Sequence, residues 1–220
     1  MEIYEVMRTA FSAREFTDEP VPDEVLLRIM ENARFAPSGG NRQGGHVIVV
    51  RDPATKAALG GLAVPAAKRY AAQAQAGENP WNTIVPPGPD AATIAATPAP
   101  AGLTKTYERA PVVLVVCVDL RVVASVDSEL ERVGVISGAS IYPLVWNILL
   151  AARNEGYGGA LTTMPIKEEP RLQALLGIPD YVAVAAVLPL GRPVKQLTKL
   201  RRKPVGEFVV RERWGGEPMG

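Results

Sequence analysis

Residues 133–152 read VGVISGASIYPLVWNILLAA, twenty positions without a charge. A run of that length suits either a bilayer span or a helix buried at the centre of a globular fold. Ser137, Ser140, Pro143, Asn147 and the glycines interrupt it, Arg132 and Arg153 flank it, and no second run of this kind occurs. The pattern therefore predicts no membrane insertion, but one long helix over Val133–Arg153, packed inside the protein or against a second copy of it.

Strands flank that helix on both sides. PVVLVVCVDL (111–120) is a near-continuous β-branched run and reads as a central strand buried on both faces. HVIVV (46–50) and YVAVAAVLPL (181–190) read as two more strands. Apolar residues at Val25, Leu26, Ile29, Met30 and Ala33 predict an amphipathic helix over 23–36, bounded by Pro22 and Pro37. A short helix is expected at EIYEVMRT (2–9), and further helices from Pro53 and near 168–175. This alternation predicts an α+β fold, a helix-flanked sheet in one domain spanning 1–220. Residues 75–105, dense in Pro, Gly and Ala, read either as a linker or as an ordered lid-like excursion over a binding site. Trp81, the large aromatic there, is a pocket wall or a local packing anchor.

Composition removes several function classes. A net charge of +1 over 220 residues gives no support for a nucleic-acid partner. A single cysteine, Cys117, excludes a disulfide framework and a cysteine metal cluster within one chain. The one histidine, His46, lies beside VIVV and suits a structural role better than a ligand role, so no metal site is expected. The N-terminus has no apolar signal core, which points to a cytoplasmic protein. The sequence contains no Walker, G-x-S-x-G, H-E-x-x-H or C-x-x-C motif, and no G-x-G-x-x-G after a strand.

Four polar clusters remain. In APSGGNRQGG (36–45), Gly39, Gly40, Gly44 and Gly45 permit positive φ and close approach of the backbone. Ser38, Asn41, Arg42 and Gln43 add donors and acceptors but no evident catalytic acid or base, as suits holding a polar ligand. The others are Ser12 with Arg14, GYGGALTT (156–163), and LTKLRRKP (197–204). Arginines and a serine from opposite ends of the chain can converge on a phosphate. Taken alone, RRK reads as a solvated basic tail.

Together, in this order and at these intervals, the clusters resemble the FMN-dependent nitroreductase family over nearly the whole chain. AFSAREF (10–16) followed by EPVP is similar to its R-R-S-x-R-x-F/Y opening, and APSGGNRQGG to A-P-S-x-x-N-x-Q-P-W. GYGGALTT is similar to G-L-G-x-x-W-x-x, and Arg202–Pro204 with Trp214 to the closing R-K-P and tryptophan tail. The resemblance implies a mixed sheet between helices, a homodimer with the central helix in its interface, and bound FMN. It places Ser12 and Arg14 on the flavin's phosphate–ribityl side and pyrimidine end. Pro37, Ser38, Gly39 and Asn41 are implied to line it from the partner subunit, and Leu161, Thr162 and Thr163 to approach its central ring. Arg202 and Lys203 are implied to hold the phosphate.

The implied activity is ping-pong electron transfer from NADH or NADPH to a small aromatic acceptor such as a nitroaromatic or quinone. Arg14 stabilises the charge that develops, and Trp81 faces the substrate under an apolar lid that favours flat, weakly polar acceptors. Alternatives within the resemblance are flavin cleavage, reductive dehalogenation, or a flavin-holding protein without turnover. Two positions depart from the pattern. Ala10 and Phe11 replace an arginine pair, whose phosphate contact is then missing or falls to Arg8 or Arg201. Gly44 and Gly45 replace P-W and open space there.

Overall fold

A computed structural model describes all residues, 1–220. The helices are α1 (Ile3–Thr9), α2 (Asp23–Ala33), α3 (Pro53–Gln75), α4 (Ala91–Ala96), α5 (Ala101–Thr104), α6 (Thr106–Arg109), α7 (Tyr142–Asn154) and α8 (Glu169–Leu176). The strands are β1 (Gly45–Val50), β2 (Val112–Asp119), β3 (Gly158–Gly159) and β4 (Val182–Gly191), in spatial order β1-β2-β4-β3. Every strand pair is antiparallel, so the expected mixed character reduces to one isolated parallel bridge, between Ser12 and Gly159.

Side chains of successive strand residues point to opposite faces, and β2 serves two cores in that way. Val112, Leu114, Val116 and Val118 pack with Val25, Leu26 and Ile29 of α2 and Val145, Ile148 and Ala152 of α7. Val113, Val115 and Cys117 pack on the other side with Leu59 and Leu62 of α3, Tyr107 of α6 and Leu172 of α8. β2 is thus buried on both faces, as its β-branched run predicts. The pairing of β2 with β4 slips between Val116 and Cys117, which face Ala186 and Val184, leaving Ala185 as a bulge.

The charge-free stretch is not one helix. α7 begins only at Tyr142, with Pro143 in its first turn, where a missing N–H costs nothing. Upstream, Ile136–Ser140 form a 3-10 turn. The N–H groups of Val135 and Ile136 donate to the Asp127 carboxylate at 2.8 and 3.3 Å. No helix of the chain is long and apolar enough to cross a membrane. α3 starts at Asp52, whose carboxylate accepts the Thr55 N–H at 2.8 Å, with Pro53 next to it. Its Gly60 lets α5 approach, since a Cβ there would lie 2.8 Å from the Thr104 carbonyl oxygen.

Candidate functional site

Ser12 is positioned by backbone pairing. The Ala13 N–H donates to Gly159 O at 3.1 Å, which lays the 11–13 segment beside β3. Gly159 has no room for a side chain, because a Cβ there would meet Pro189 O at 2.7 Å. The resulting cavity, about 200 Å³, brings Ser12, Leu161 and Arg202 together with Phe11, Trp146, Leu149 and Arg153. Arg153 and Arg202 are its charged lining residues, and no carboxylate faces them. Arg153 also donates from Nε to the Thr9 hydroxyl at 3.0 Å. Neither Arg8 nor Arg201 lines the cavity, whereas Arg153, on α7, lines it beside Ala10 and Phe11. Its helical position in an apolar run gave no hint of this.

A second cavity, about 600 Å³, is lined by neighbouring residues of the same two segments. Leu161 lines the first and Thr163 the second, two residues on; Trp146 lines the first and Tyr142 the second, one turn of α7 away. Trp81, Tyr70, Met164, Val184 and Ala185 complete the larger cavity, so the β4 bulge forms part of its wall. The bulged Ala185 carbonyl accepts the Tyr142 hydroxyl at 3.4 Å. Tyr142, Trp146 and Arg153 are site residues that sequence reasoning missed. The i, i+4 spacing of Tyr142 and Trp146 within the charge-free run was the available signal.

Between the two cavities, Thr162 is fully engaged. Its N–H and C=O both pair with Val187, at 3.2 and 2.9 Å. Its hydroxyl donates to Val187 O at 2.6 Å and accepts from the Tyr107 hydroxyl at 2.8 Å. Its backbone groups are thus committed to the sheet, and Leu161 and Thr163 present the exposed surface of this segment. Burial pushes the Tyr107 phenol up to about 12, against the Thr162 hydrogen bond and the charge of nearby Arg14. Arg14 itself is exposed, and its guanidinium makes one long hydrogen bond, 3.4 Å, to Ser12 O.

Trp81 is both wall and anchor. Its indole Nε1 donates to Ala66 O at 3.4 Å, and the Arg69 guanidinium lies 3.9 Å from its ring centroid. The buried Gln73 side chain accepts the Trp81 N–H at 3.2 Å and donates to Glu78 at 2.9 Å. Those contacts hold Trp81 at φ 58°, a left-handed conformation that bulky residues rarely adopt.

The 36–45 loop lies elsewhere. Pro37 and Ser38 line a separate cavity of about 160 Å³ with Ser140 of the 3-10 turn and Leu144 of α7. The Ser38 hydroxyl accepts the Gln43 N–H at 3.0 Å, and the Gly39 N–H donates to the Ser140 hydroxyl at 3.1 Å. Positive φ falls on Gly40, Asn41 and Gln43, while Gly45 instead permits close packing, since a Cβ there would lie 2.8 Å from Leu144. Pro37, Ser38, Gly39 and Asn41 therefore do not join Ser12 and Arg202 within one chain. Lys203 is exposed and lines none of these cavities.

A family model described as the nitroreductase family matches residues 7–192, and the chain belongs to that family, an oxidoreductase family. It is 29% identical to a protein of Thermus thermophilus named NADH dehydrogenase, over 90% of both chains. It is 26% identical to human iodotyrosine deiodinase 1, over 95% of this chain and 68% of that one. The NADPH:FMN oxidoreductase of Vibrio harveyi, solved with NAD+, superposes with a TM-score of 0.66 at 21% identity, covering 96% of this chain and 76% of that one.

Proposed function

We propose that the protein is an FMN-dependent oxidoreductase that takes electrons from NADH or NADPH and delivers them, in ping-pong order, to a nitroaromatic, quinone or related small aromatic acceptor. The observation that carries this reading is the pair of cavities lined from the same two segments. One end has two arginines and a serine hydroxyl without a carboxylate, the chemistry of a phosphate monoester site. The other is large, apolar and aromatic, the chemistry of a flat ring and a flat acceptor. This donor set fits FMN, with Ser12, Arg153 and Arg202 at the phosphate and Leu161 and Thr163 beside the ring. A dinucleotide flavin has no matching fingerprint in the chain.

Bound there, the flavin supplies two-electron redox chemistry, and the chain supplies position and charge. Arg14, with no carboxylate paired to it, is the group that stabilises negative charge at the pyrimidine end. Trp81 and Tyr142 exclude water from the acceptor and orient its plane. Two copies complete the site, the partner's 36–45 loop closing the open side. A cytoplasmic setting, where nicotinamide donors are abundant, belongs to the same reading.

The purified protein is expected to carry or take up FMN, bleach anaerobically with NADH or NADPH, and recover its colour with menadione or 4-nitrobenzamide. A yellow protein that no nicotinamide bleaches is a flavin holder, and released FAD refutes the phosphate assignment. Reductive dehalogenation is a second reading, favoured by the deiodinase match over 95% of this chain. Iodide release from 3-iodotyrosine by the reduced protein, with no turnover of the nitro or quinone acceptors, selects it.

A further inference from the structure

Two cavities meet at Lys167. One is the apolar cavity of about 600 Å³ walled by Tyr70, Trp81 and Tyr142. The other, about 500 Å³, lies between α3 and α4 and is lined by Lys68, Arg69 and Ile94. No carboxylate lines either space, whereas three cationic side chains do. Two of the three are partly engaged. Lys68 donates its ammonium to Ala95 O at 2.6 Å, and Arg69 donates from Nε to Gln73 Oε1 at 3.2 Å while stacking on Trp81. Lys167 is exposed at the junction, and its neighbour Glu168 turns to Arg171, 3.5 Å away.

We propose that this pair of cavities selects a flat aromatic acid as the acceptor, its ring between Trp81 and Tyr142 and its carboxylate on Lys167. The ring position rests on the redox reading above; the charge preference rests on the cavity lining alone. An ammonium at the mouth of an apolar cavity attracts an anion more strongly than one in open water, because the walls lower the local dielectric. Lys68 and Arg69 add to the same field from the second cavity. One ammonium with free donors, beside two whose donors are partly spent, matches a monoanion. The apolar excursion on its own suggests weakly polar acceptors; the cations come from α3 and the 164–168 turn, which only the fold brings beneath it.

The test compares 4-nitrobenzoate with its neutral amide on the flavin-loaded protein. The wild type is expected to prefer the acid, measured as the ratio of the two kcat/KM values, and to lose that preference as salt screens it. Lys167→Gln is expected to lower the ratio about tenfold, the low end for a hydrogen bond to a charged group. Lys167→Arg is expected to restore it. An unchanged ratio overturns the proposal, and so does a rise in KM confined to NADH or NADPH, which assigns the cations to the donor's phosphates. Binding of both compounds is read independently by quenching of tryptophan fluorescence. A protein without turnover that still binds the acid better, in a Lys167-dependent way, refutes the redox reading and leaves the acid pocket standing. Equal binding of acid and amide removes the acid pocket, whatever the turnover.

Discussion

Arg202 shows how little a basic residue reveals before its surroundings are known. Within LTKLRRKP it is indistinguishable from Arg201 and Lys203, yet it alone of the three lines the cavity that holds Ser12. Its guanidinium donates only to the Arg201 carbonyl, at 2.7 Å, and is otherwise available to a ligand. Arg202→Ala is expected to weaken FMN binding by about 1 kcal/mol, discounted for solvent exposure. Arg153→Ala is expected to cost more, since that side chain is half-buried and held by Thr9. Lys203→Ala is expected to cost the least. Fluorescence titration of the apoprotein with FMN ranks the three, and an equal loss in all of them indicates a diffuse basic tail.

At the scale of elements, the 125–136 loop is organised by one carboxylate. Asp127 is almost wholly buried and accepts the Val135 N–H at 2.8 Å, the Arg132 guanidinium at 2.8 Å, the Ser125 hydroxyl at 3.0 Å and the Ile136 N–H at 3.3 Å. The Val135 N–H is the largest of the influences that hold its carboxyl well below the ordinary 3.8; the other three act the same way, and burial opposes them. A lowered folded value means the stabilisation is present at pH above the unfolded value near 3.8 and is lost as pH falls below it. Asp127→Ala is expected to lower the melting temperature at pH 7 and to flatten its decline below about pH 4. Faster hydrogen exchange across 133–140 should accompany this, with β2 unaffected. An acid limb that keeps its wild-type slope shows that other carboxylates control it.

The molecule as a whole leaves much apolar surface uncovered. Trp214 is 100% exposed, Val126 and Ile84 are each 85% exposed, and Phe35 and Phe208 are open too. Beyond Leu197 the chain forms only a 3-10 turn at Val205–Glu207 and a bridge between Val210 and Pro218. Exposed apolar side chains of this number suit an interaction surface, and the proposed second copy is a partner that would also bring the 36–45 loop to the site. Sedimentation is expected to show a dimer down to nanomolar concentration, and deletion of residues 197–220 to weaken both dimerisation and FMN retention. A flavin-loaded monomer at low concentration counts against the shared site.

Local pattern was enough for β1, β2 and β4 and for the longer helices, but not for β3 or for α4, α5 and α6. β2 is legible in VVLVVCVD because burial on both faces demands an unbroken apolar run, and α2 because one buried stripe demands a 3.6-residue period. The clusters around Ser12, Leu161 and Arg202 were legible as well, and they share a cavity although nearly the whole chain separates them. The start of α7 was not, because the charge-free run outweighed Pro143, which a helix tolerates in its first turn far better than in its interior. Nor were Arg153 and Lys167, whose roles depend on which face of α7 and which turn after β3 border a cavity. Periodicity records how each segment meets the core; which side chains from different segments face one another across an opening is decided only when the segments pack.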